Sequence, residues 1–321
     1  MNQQMSKCEI FSLSDTCAFL KSHDNYLILT HCSPDGDTLG SGFALMRILE
    51  QLGKKAAVLA PDGIPDDFIF LEKKASEYEV NTIVAVDIAD DKLLGTARAE
   101  YGNQVDLCID HHGSNIKYSK ALYVDSDAAA TCEIIFELAV SLGTIIDKSI
   151  AEAIYTGVAT DTGCFKYSNT TDKTHFIAAK LFSVGINASE INRVMFETKT
   201  RAAIEMEKRA LSSLEFYFEG KCALIAITGK MLEETGCAKS DLESITAIPR
   251  TIEGVLVGVT LKETEEGKVK VSVRTHSPID AAAICKNLGG GGHMRAAGCQ
   301  IKGTVADAKK QLLEFIKEAL I

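Results

Sequence analysis

The fold is decided by the stretch YLILTHCSPDGDTLGSGFALMRILEQLG, which runs from Tyr26 to Gly53. Its first five residues, YLILT, form an apolar run that predicts a buried β-strand. The segment after Asp37 predicts a helix, because apolar residues recur there at helical spacing and Gly53 is a typical stop signal; these apolar residues are Leu39, Phe43, Met46 and Leu49. A strand, a polar loop and an amphipathic helix in this order are typical of α/β folds.

The same alternation continues through the first half of the chain. Further strands are predicted at 56–60, 82–87 and 105–110, and helical segments at 129–142 and 148–160. We therefore expect residues 1–185 to form an α/β domain with a parallel sheet and helices on both faces. A charged, helix-forming segment at 186–217 predicts a helical linker, and the strand-like runs of 218–321 predict a smaller α+β domain.

Composition sets limits on function. The chain has 321 residues, of which 46% are hydrophobic and 24% charged, and these values are typical of a soluble globular protein. It has no apolar window near the roughly 18 residues of a membrane span, and its ten cysteines are scattered singly, so we expect a cytoplasmic protein with reduced thiols and no membrane partner. The net charge of −10 argues against binding long duplex nucleic acid and leaves short anionic substrates possible.

Aspartate and histidine residues follow the predicted strands at the point where each one ends. His31, Asp35 and Asp37 lie after the first strand, and Asp87 ends the strand at 82–87. A third group, DHH at 110–112, ends the strand at 105–110, and Asp161 follows an apolar helical segment. Because the carboxyl ends of parallel strands share one edge of the sheet, we expect these side chains to meet there.

Each of these residues also has an ordinary explanation, such as a turn aspartate, a packed histidine or a helix cap. Many converging carboxylates, however, repel one another unless a cation lies between them. Mixed imidazole and carboxylate ligands favour borderline divalent ions. We expect two Mn²⁺ ions, with Mg²⁺ or Co²⁺ as possible substitutes, because about six ligands exceed the need of one ion. Such a pair is typical of phosphoester hydrolysis.

The motifs HCSPDGD, VAVD, IDHHGS and ATDTG occur in the order found in the DHH phosphoesterase family, which this chain resembles. The resemblance implies that His31, Asp35 and Asp87 hold one ion, and that Asp87 bridges to a second. It implies the remaining ligands of the second ion, which are Asp37, His111 and Asp161. It also implies a catalytic role for Asp87 itself. Asp110 would orient or support the DHH triplet, and His112 would contact the scissile phosphate or assist the leaving oxygen.

The segment GGGGHMRAAG, at 289–298, resembles the signature of the DHH-associated domain. Between Lys270 and Lys302 there are five basic residues and one acidic residue, so positive charge is concentrated there in an acidic protein. We expect substrate-binding residues in this region: Arg274, His293, Arg295, Gly290, Gly291 and Gly292. The alternative is a flexible glycine turn with solvated charges.

The length and domain order resemble those of the stand-alone nano-RNase group of this family. That resemblance implies hydrolysis of short oligoribonucleotides and 3′-phosphoadenosine 5′-phosphate in a cleft between two domains, in a homodimeric protein. Linear or cyclic diadenylate is the alternative substrate. A pyrophosphatase or exopolyphosphatase, and a nucleotide-binding protein without turnover, remain open as rival hypotheses.

Overall fold

The structure is a computed structural model that describes residues 8–238, 241–264 and 267–321. It separates into two compact units, of which unit 1 ends at Thr198 and unit 2 begins at Lys199. The domain boundaries expected at 185 and 217 stay predictions.

Unit 1 is built on a parallel sheet of six strands among the described residues. The strands are β1 (Glu9–Ile10), β2 (Tyr26–Leu29), β3 (Ala56–Leu59), β4 (Thr82–Val86), β5 (Leu107–Asp110) and β6 (Ala121–Val124). Their order across the sheet is β1-β6-β5-β4-β2-β3, and every pair is parallel. The chain moves outward from β2 to β3 and then returns to the other side of β2 for β4. A topological switch point therefore lies between β2 and β4, and ligands bind at such points in open α/β sheets.

The described part of unit 1 has seven α-helices: α1 (Leu13–Ser22), α2 (Gly36–Gln51), α3 (Arg98–Tyr101), α4 (Thr131–Leu142), α5 (Lys148–Asp161), α6 (Asp172–Ser183) and α7 (Ala188–Asn192). The next helix in the chain, α8 (Arg201–Ser212), belongs to unit 2. Shorter 3₁₀ segments span Asp66–Leu71 and Asp91–Ala97, and a π-helical turn spans Arg193–Glu197. The predicted strands and helices of the first half are present, with ends that differ by a few residues.

Both faces of the sheet are covered because its strands alternate between two cores. Ile28 of β2 packs in the larger core with residues of α2, α4 and α5. Its neighbour Leu29 points to the opposite face and packs there with Leu94 and with Tyr101 of α3. Strands that are apolar on both faces are typical of parallel sheets, because helices cover each side. This arrangement confirms the predicted α/β fold class.

Unit 2 contains a second six-stranded sheet among the described residues. Its strands are β7 (Glu215–Tyr217), β8 (Cys222–Ile227), β9 (Val257–Glu263), β10 (Lys268–Thr275), β11 (Gly291–His293) and β12 (Ala296–Lys302), in the order β11-β12-β10-β9-β8-β7. The β8–β9 pair is parallel and the other pairs are antiparallel. The predicted α+β character is therefore confirmed.

The remaining helices of unit 2 are α9 (Gly229–Thr235), α10 (Leu242–Ala247), α11 (Ala281–Lys286) and α12 (Val305–Ala319), with a 3₁₀ segment at Ile248–Thr251. One face of the sheet packs on α11 and α12 through alternating apolar side chains of β10, such as Val271 and Val273. No helix of the described chain is both long and apolar enough to span a bilayer.

Candidate functional site

The expected site residues of unit 1 lie at the carboxyl edge of its sheet. Three adjacent central strands, β2, β4 and β5, end there, and each is followed by aspartate or histidine. The side chains form overlapping groups whose ligand atoms lie within 4.8 Å of one another, namely His31 with Asp35 and Asp87, Asp37 with His111 and Asp161, and Asp87 with His111 and His112. All seven residues expected to bind metal or to contact the phosphate are thus brought together.

The start of α2 positions Asp35 and Asp37. Asp35 is the N-cap residue, and its Oδ1 accepts hydrogen bonds from the amides of Asp37 (3.0 Å) and Thr38 (3.1 Å). This pattern is a common way to satisfy the free amides at a helix start. Asp37 in the first turn is fully buried. A loop-to-helix junction therefore places two carboxylates at the sheet edge.

Asp87 lies between the two groups of ligands. It follows β4 directly and adopts the left-handed conformation at φ 59°, which is uncommon for a residue other than glycine and is enriched at functional sites. Its Oδ2 lies 3.7 Å from Nε2 of His31, and its Oδ1 lies 3.6 Å from Nε2 of His111. The two oxygens of one carboxylate therefore face different histidines.

The tautomers of His31 and His111 follow from their hydrogen bonds. Nδ1 of His31 lies 2.9 Å from the Cys32 carbonyl oxygen, and Nδ1 of His111 lies 3.2 Å from the Ala128 carbonyl oxygen. A carbonyl oxygen can only accept, so in both rings Nδ1 carries the proton and Nε2 is a bare acceptor in the neutral form. Both acceptors are directed at carboxylates.

This arrangement fits a metal ion. Nε2 of His111 is buried without a hydrogen-bond partner among the described residues. It lies 3.3 Å from Asp161 Oδ2 and 4.0 Å from Asp37 Oδ2. Atoms that bind one ion at about 2.0–2.2 Å lie about 3–4 Å from each other. An acceptor nitrogen and carboxylates at such distances could hold a cation between them, and the donor set of imidazole and carboxylate suits borderline divalent ions.

The electrostatics of the carboxylates agree with this interpretation. Burial raises the pKa of Asp87 well above its usual range, and the charges of Asp37 and Asp35 raise it further. The pKa of Asp161 is raised to about 9, mainly by burial and further by the charges of Asp37 and Asp35. Without a cation the cluster therefore resists ionisation, and a bound cation removes this penalty.

Asp110 and His112 form a pair at the edge of the cluster. Nδ1 of His112 lies 2.8 Å from Asp110 Oδ1, and Nδ2 of Asn115 donates to Asp110 Oδ2 at 2.7 Å. Asp110 is fully buried, whereas the side chain of His112 is 46% exposed. The hydrogen bond to Asp110 raises the pKa of His112 despite partial burial. The buried carboxylate of Asp110 thus fixes the orientation of the half-exposed His112 ring.

Residues that the sequence did not single out complete the site. The amides of Thr131 and Cys132 at the start of α4 donate to the two oxygens of Asp37 at 2.6 and 2.9 Å. The Thr131 hydroxyl donates to Asp87 Oδ1 at 3.0 Å. Asn115 could have been singled out from the sequence, because it directly follows the motif IDHHGS. No local sequence pattern marks Thr131, because its contacts with Asp37 and Asp87 depend on how α4 packs in the folded domain.

The glycines of α2 and α5 bring the helices close enough for these contacts. An added Cβ at Gly157 of α5 would lie 2.2 Å from Cys132 Sγ and 2.7 Å from Asp37 Oδ1. Only glycine leaves room there for the buried carboxylate.

In unit 2, two of the expected substrate-binding residues share a face of the sheet. Ala296 of β12 pairs with Arg274 of β10 on one side and with His293 of β11 on the other. Directly paired residues of antiparallel strands point to the same face. The next row on this face is Ser272, Gly298 and Gly291. Arg274 and His293 therefore flank a surface lined by small residues.

Gly291 and Gly292 belong to the edge strand β11, whereas Gly289 and Gly290 precede it. Gly292 has φ 144°, and a Cβ there would lie 2.6 Å from the Ala296 carbonyl oxygen. The amide of Gly290 donates to the Cys285 carbonyl and is therefore occupied. Arg295 lies in the turn after β11, and its Nη1 donates to the Ile279 carbonyl at 2.7 Å. The structure thus places Arg295 beside the pair of Arg274 and His293 with part of its guanidinium engaged.

Comparison with known proteins agrees with both units. Residues 25–158 match the model of the DHH family, N-terminal domain, and residues 222–321 match that of the DHHA1 domain. The bifunctional oligoribonuclease and PAP phosphatase NrnA of Thermus thermophilus is 35% identical over 304 residues, which cover 91% of this chain and 89% of that protein. The cyclic-di-AMP phosphodiesterase PdeA of Listeria monocytogenes is 26% identical over 324 residues, which cover 91% of this chain and 47% of that protein.

A solved structure matches the fold closely. The crystal structure of an exopolyphosphatase-related protein from Bacteroides fragilis has a TM-score of 0.86 and 26% identity, and the match covers 95% of each chain. These similarities extend over both units and include the segments that carry the predicted motifs. The chain belongs to the DHH family of phosphoesterases, which confirms the family that its motifs predicted.

Proposed function

We propose that this DHH phosphoesterase hydrolyses short oligoribonucleotides and 3′-phosphoadenosine 5′-phosphate with two Mn²⁺ ions. The observation that carries the proposal is the buried Nε2 of His111. It has no hydrogen-bond partner in the described part of the chain, and it lies among carboxylates whose ionisation is unfavourable without a cation. The NrnA protein of Thermus thermophilus, which is named for both activities, supports this choice of substrates.

In the proposed site, His31, Asp35 and Asp87 would hold one ion. Asp37, Asp87, His111 and Asp161 would hold the second, so that Asp87 would be shared by both. The divided orientation of the Asp87 oxygens supports this bridging role, because Oδ2 faces His31 and Oδ1 faces His111. Paired divalent ions lower the pKa of a bound water and stabilise the charge that develops on a phosphate.

His112 and Asp110 act on the phosphate without binding the ions. Asp110 accepts from Nδ1 of His112, holds the ring in place and raises its pKa, and in the protonated ring Nε2 can donate to a phosphate oxygen. His112 also falls within one of the possible metal groups, with Asp87 and His111. We assign it to the phosphate because its Nδ1 is engaged with Asp110 at 2.8 Å, much closer than its 3.6 Å separation from Asp87 Oδ1.

The small-residue surface of unit 2, around Arg274, His293 and Ala296, offers groups that suit a nucleotide phosphate. Arg274 supplies a guanidinium that suits a terminal phosphate, and His293 supplies an exposed ring. Ala296 and the glycines between and beside them allow the substrate to approach the backbone. Arg295 contributes positive charge to this surface.

The test compares substrates in one assay. The purified protein is incubated with Mn²⁺, Mg²⁺ or Co²⁺ and with a 5′-labelled RNA dinucleotide, 3′-phosphoadenosine 5′-phosphate, diadenylate, pyrophosphate or polyphosphate. We expect the dinucleotide and 3′-phosphoadenosine 5′-phosphate to be hydrolysed fastest, with Mn²⁺. A preference for pyrophosphate or polyphosphate, or tight nucleotide binding without turnover, would refute the proposal.

Diadenylate is the second candidate substrate, and the similarity to the PdeA protein, which is named a cyclic-di-AMP phosphodiesterase, favours it. A higher kcat/KM for diadenylate than for the dinucleotide would select this alternative. In either case Asp87→Ala should abolish hydrolysis, whereas Asp127→Ala, a matched change of an exposed aspartate, should leave it unchanged.

A further inference from the structure

Thr131 connects two carboxylates that belong to different parts of unit 1. It is the first residue of α4 and is fully buried. Its backbone amide donates to Asp37 Oδ2 at 2.6 Å, and its hydroxyl donates to Asp87 Oδ1 at 3.0 Å. One residue thus contacts a carboxylate from the first turn of α2 and another from the end of β4.

The position of Thr131 in its helix makes this contact possible. A threonine hydroxyl inside a helix usually donates to the carbonyl one turn earlier, as Thr156 does to Glu152 in α5 at 2.8 Å. A residue in the first turn has no such helical carbonyl behind it, so its hydroxyl can donate away from the helix. The N-cap residue, Ala130, makes no side-chain cap, and Asp37 binds the free amides of α4 in its place.

The hydroxyl of Thr131 contacts Oδ1 of Asp87, which is the oxygen on the side of His111 and of the proposed second ion. Oδ1 lies 3.6 Å from Nε2 of His111, whereas Oδ2 faces His31. A hydroxyl donates one hydrogen and occupies one of the two lone pairs of Oδ1. The bond therefore restricts rotation of the carboxylate while leaving the other lone pair of Oδ1 for a cation.

We propose that Thr131 is a positioning residue that holds Asp87 in the orientation required to bridge two divalent ions. This inference rests on the proposed function, because it assumes that Asp87 binds metal. Without the hydroxyl, the carboxylate rotates more freely and the bound state must order it at an entropic cost. Polar partners of metal ligands are typically worth about 10–100-fold in metal affinity.

The experiment measures Mn²⁺ binding to the metal-free protein by calorimetric titration, so that it does not depend on turnover. Thr131→Val removes the hydroxyl and keeps the shape and the backbone amide. Thr131→Ser keeps the hydroxyl and removes the methyl group. Thr16→Val is the matched control, because Thr16 is equally buried and its hydroxyl donates at 2.9 Å to the Ser12 carbonyl in α1.

We expect Thr131→Val to weaken Mn²⁺ binding about 10–100-fold. Thr131→Ser should bind within about 3-fold of the wild type, and Thr16→Val should bind as the wild type does. Unchanged binding by Thr131→Val would overturn the inference. Equal weakening by Thr131→Val and Thr131→Ser would also overturn it, because the hydroxyl that Thr131→Ser retains would then not be sufficient to preserve Mn²⁺ binding.

The outcome for the wild type separates this inference from the proposed function. If the wild type neither binds Mn²⁺ nor hydrolyses nucleotides, the proposed function is wrong. The inference about Thr131 is then wrong as well, because it depends on metal binding. If the wild type does both and Thr131→Val matches it in Mn²⁺ affinity, only the inference about Thr131 fails.

Discussion

Replacing Gly157 with alanine tests how tightly the helices constrain the metal ligands. The added Cβ would lie 2.2 Å from Cys132 Sγ and 2.7 Å from Asp37 Oδ1. An ordinary contact of about 3.5 Å requires the sulfur to move by about 1.3 Å. Rotation of the Cys132 side chain does not remove the clash, because the added Cβ would still lie 2.7 Å from Oδ1 and 3.0 Å from Cα of Asp37. We therefore expect Asp37 to be displaced together with the start of α4.

The expected effect on activity is larger than that on stability. Overpacking costs about 1–3 kcal/mol, and the better helix propensity of alanine offsets about 1 kcal/mol of it. The net loss of up to about 2 kcal/mol lowers the thermal midpoint by a few degrees for a domain of this size. A misplacement of about 1 Å in an active site can cost about 100-fold in rate. Gly157→Ala should therefore fold and lose about two orders of magnitude in kcat/KM.

The assay pairs thermal denaturation with hydrolysis of an RNA dinucleotide at saturating Mn²⁺. Gly42→Ala is the matched control, because a Cβ at this buried helix glycine approaches no nearer than 3.2 Å, to Thr30 Cγ2. It should retain wild-type activity. If Gly157→Ala is as active as Gly42→Ala and binds Mn²⁺ equally well, the position of Asp37 does not limit the site and the reasoning is wrong.

Three further predictions concern other parts of the chain. Asn115→Ala removes the donor to Asp110 Oδ2, so kcat should fall about 10–100-fold while Mn²⁺ affinity changes little; equal losses in both would contradict the assignment. Arg274→Ala should raise KM for the dinucleotide and leave kcat nearly unchanged, with Lys270→Ala on the same strand as control. Burial raises the pKa of Glu133 in the folded protein above its usual value. Protonated Glu133 therefore stabilises the fold at low pH, and this contribution is lost as the pH rises through the raised pKa. The thermal midpoint of Glu133→Gln should therefore increase relative to that of the wild type between pH 4 and 8. A difference between the two midpoints that does not change with pH would contradict this prediction.

The central strands could be predicted from sequence because they are short apolar runs between polar loops. The two strands at the far edge of the sheet, β1 and β6, were not predicted. Glu9–Ile10 has only two residues, both exposed, and carries no apolar run. Ala121–Val124 is only half buried at its end. Their pairing depends on the neighbouring strand, which a local pattern does not reveal.

The convergence of the candidate ligands could be predicted from the sequence, whereas the residues that hydrogen-bond to them could not. The convergence of strand ends follows from a parallel sheet, so His31, Asp87 and His111 could be placed together before the structure was known. Thr131 comes to the site because α4 docks against α2, and this contact lies 94 residues apart in the chain. In unit 2, the pairing of β11 with β12 places Gly291 and Gly292 in a strand, whereas the sequence indicated only a close backbone approach. The identity of the metal and the homodimer stay predictions.

The hydrogen bonds of Asp37 affect how relatives of this protein are interpreted. Because this side chain joins α2 to the first amides of α4, selection for a folded protein would retain it after catalysis had been lost. Its presence in a genome sequence is therefore a poor marker of an active enzyme. Asp161, at the end of α5 with its side chain one quarter exposed, is a more informative position for recognising degenerate members among newly sequenced genes.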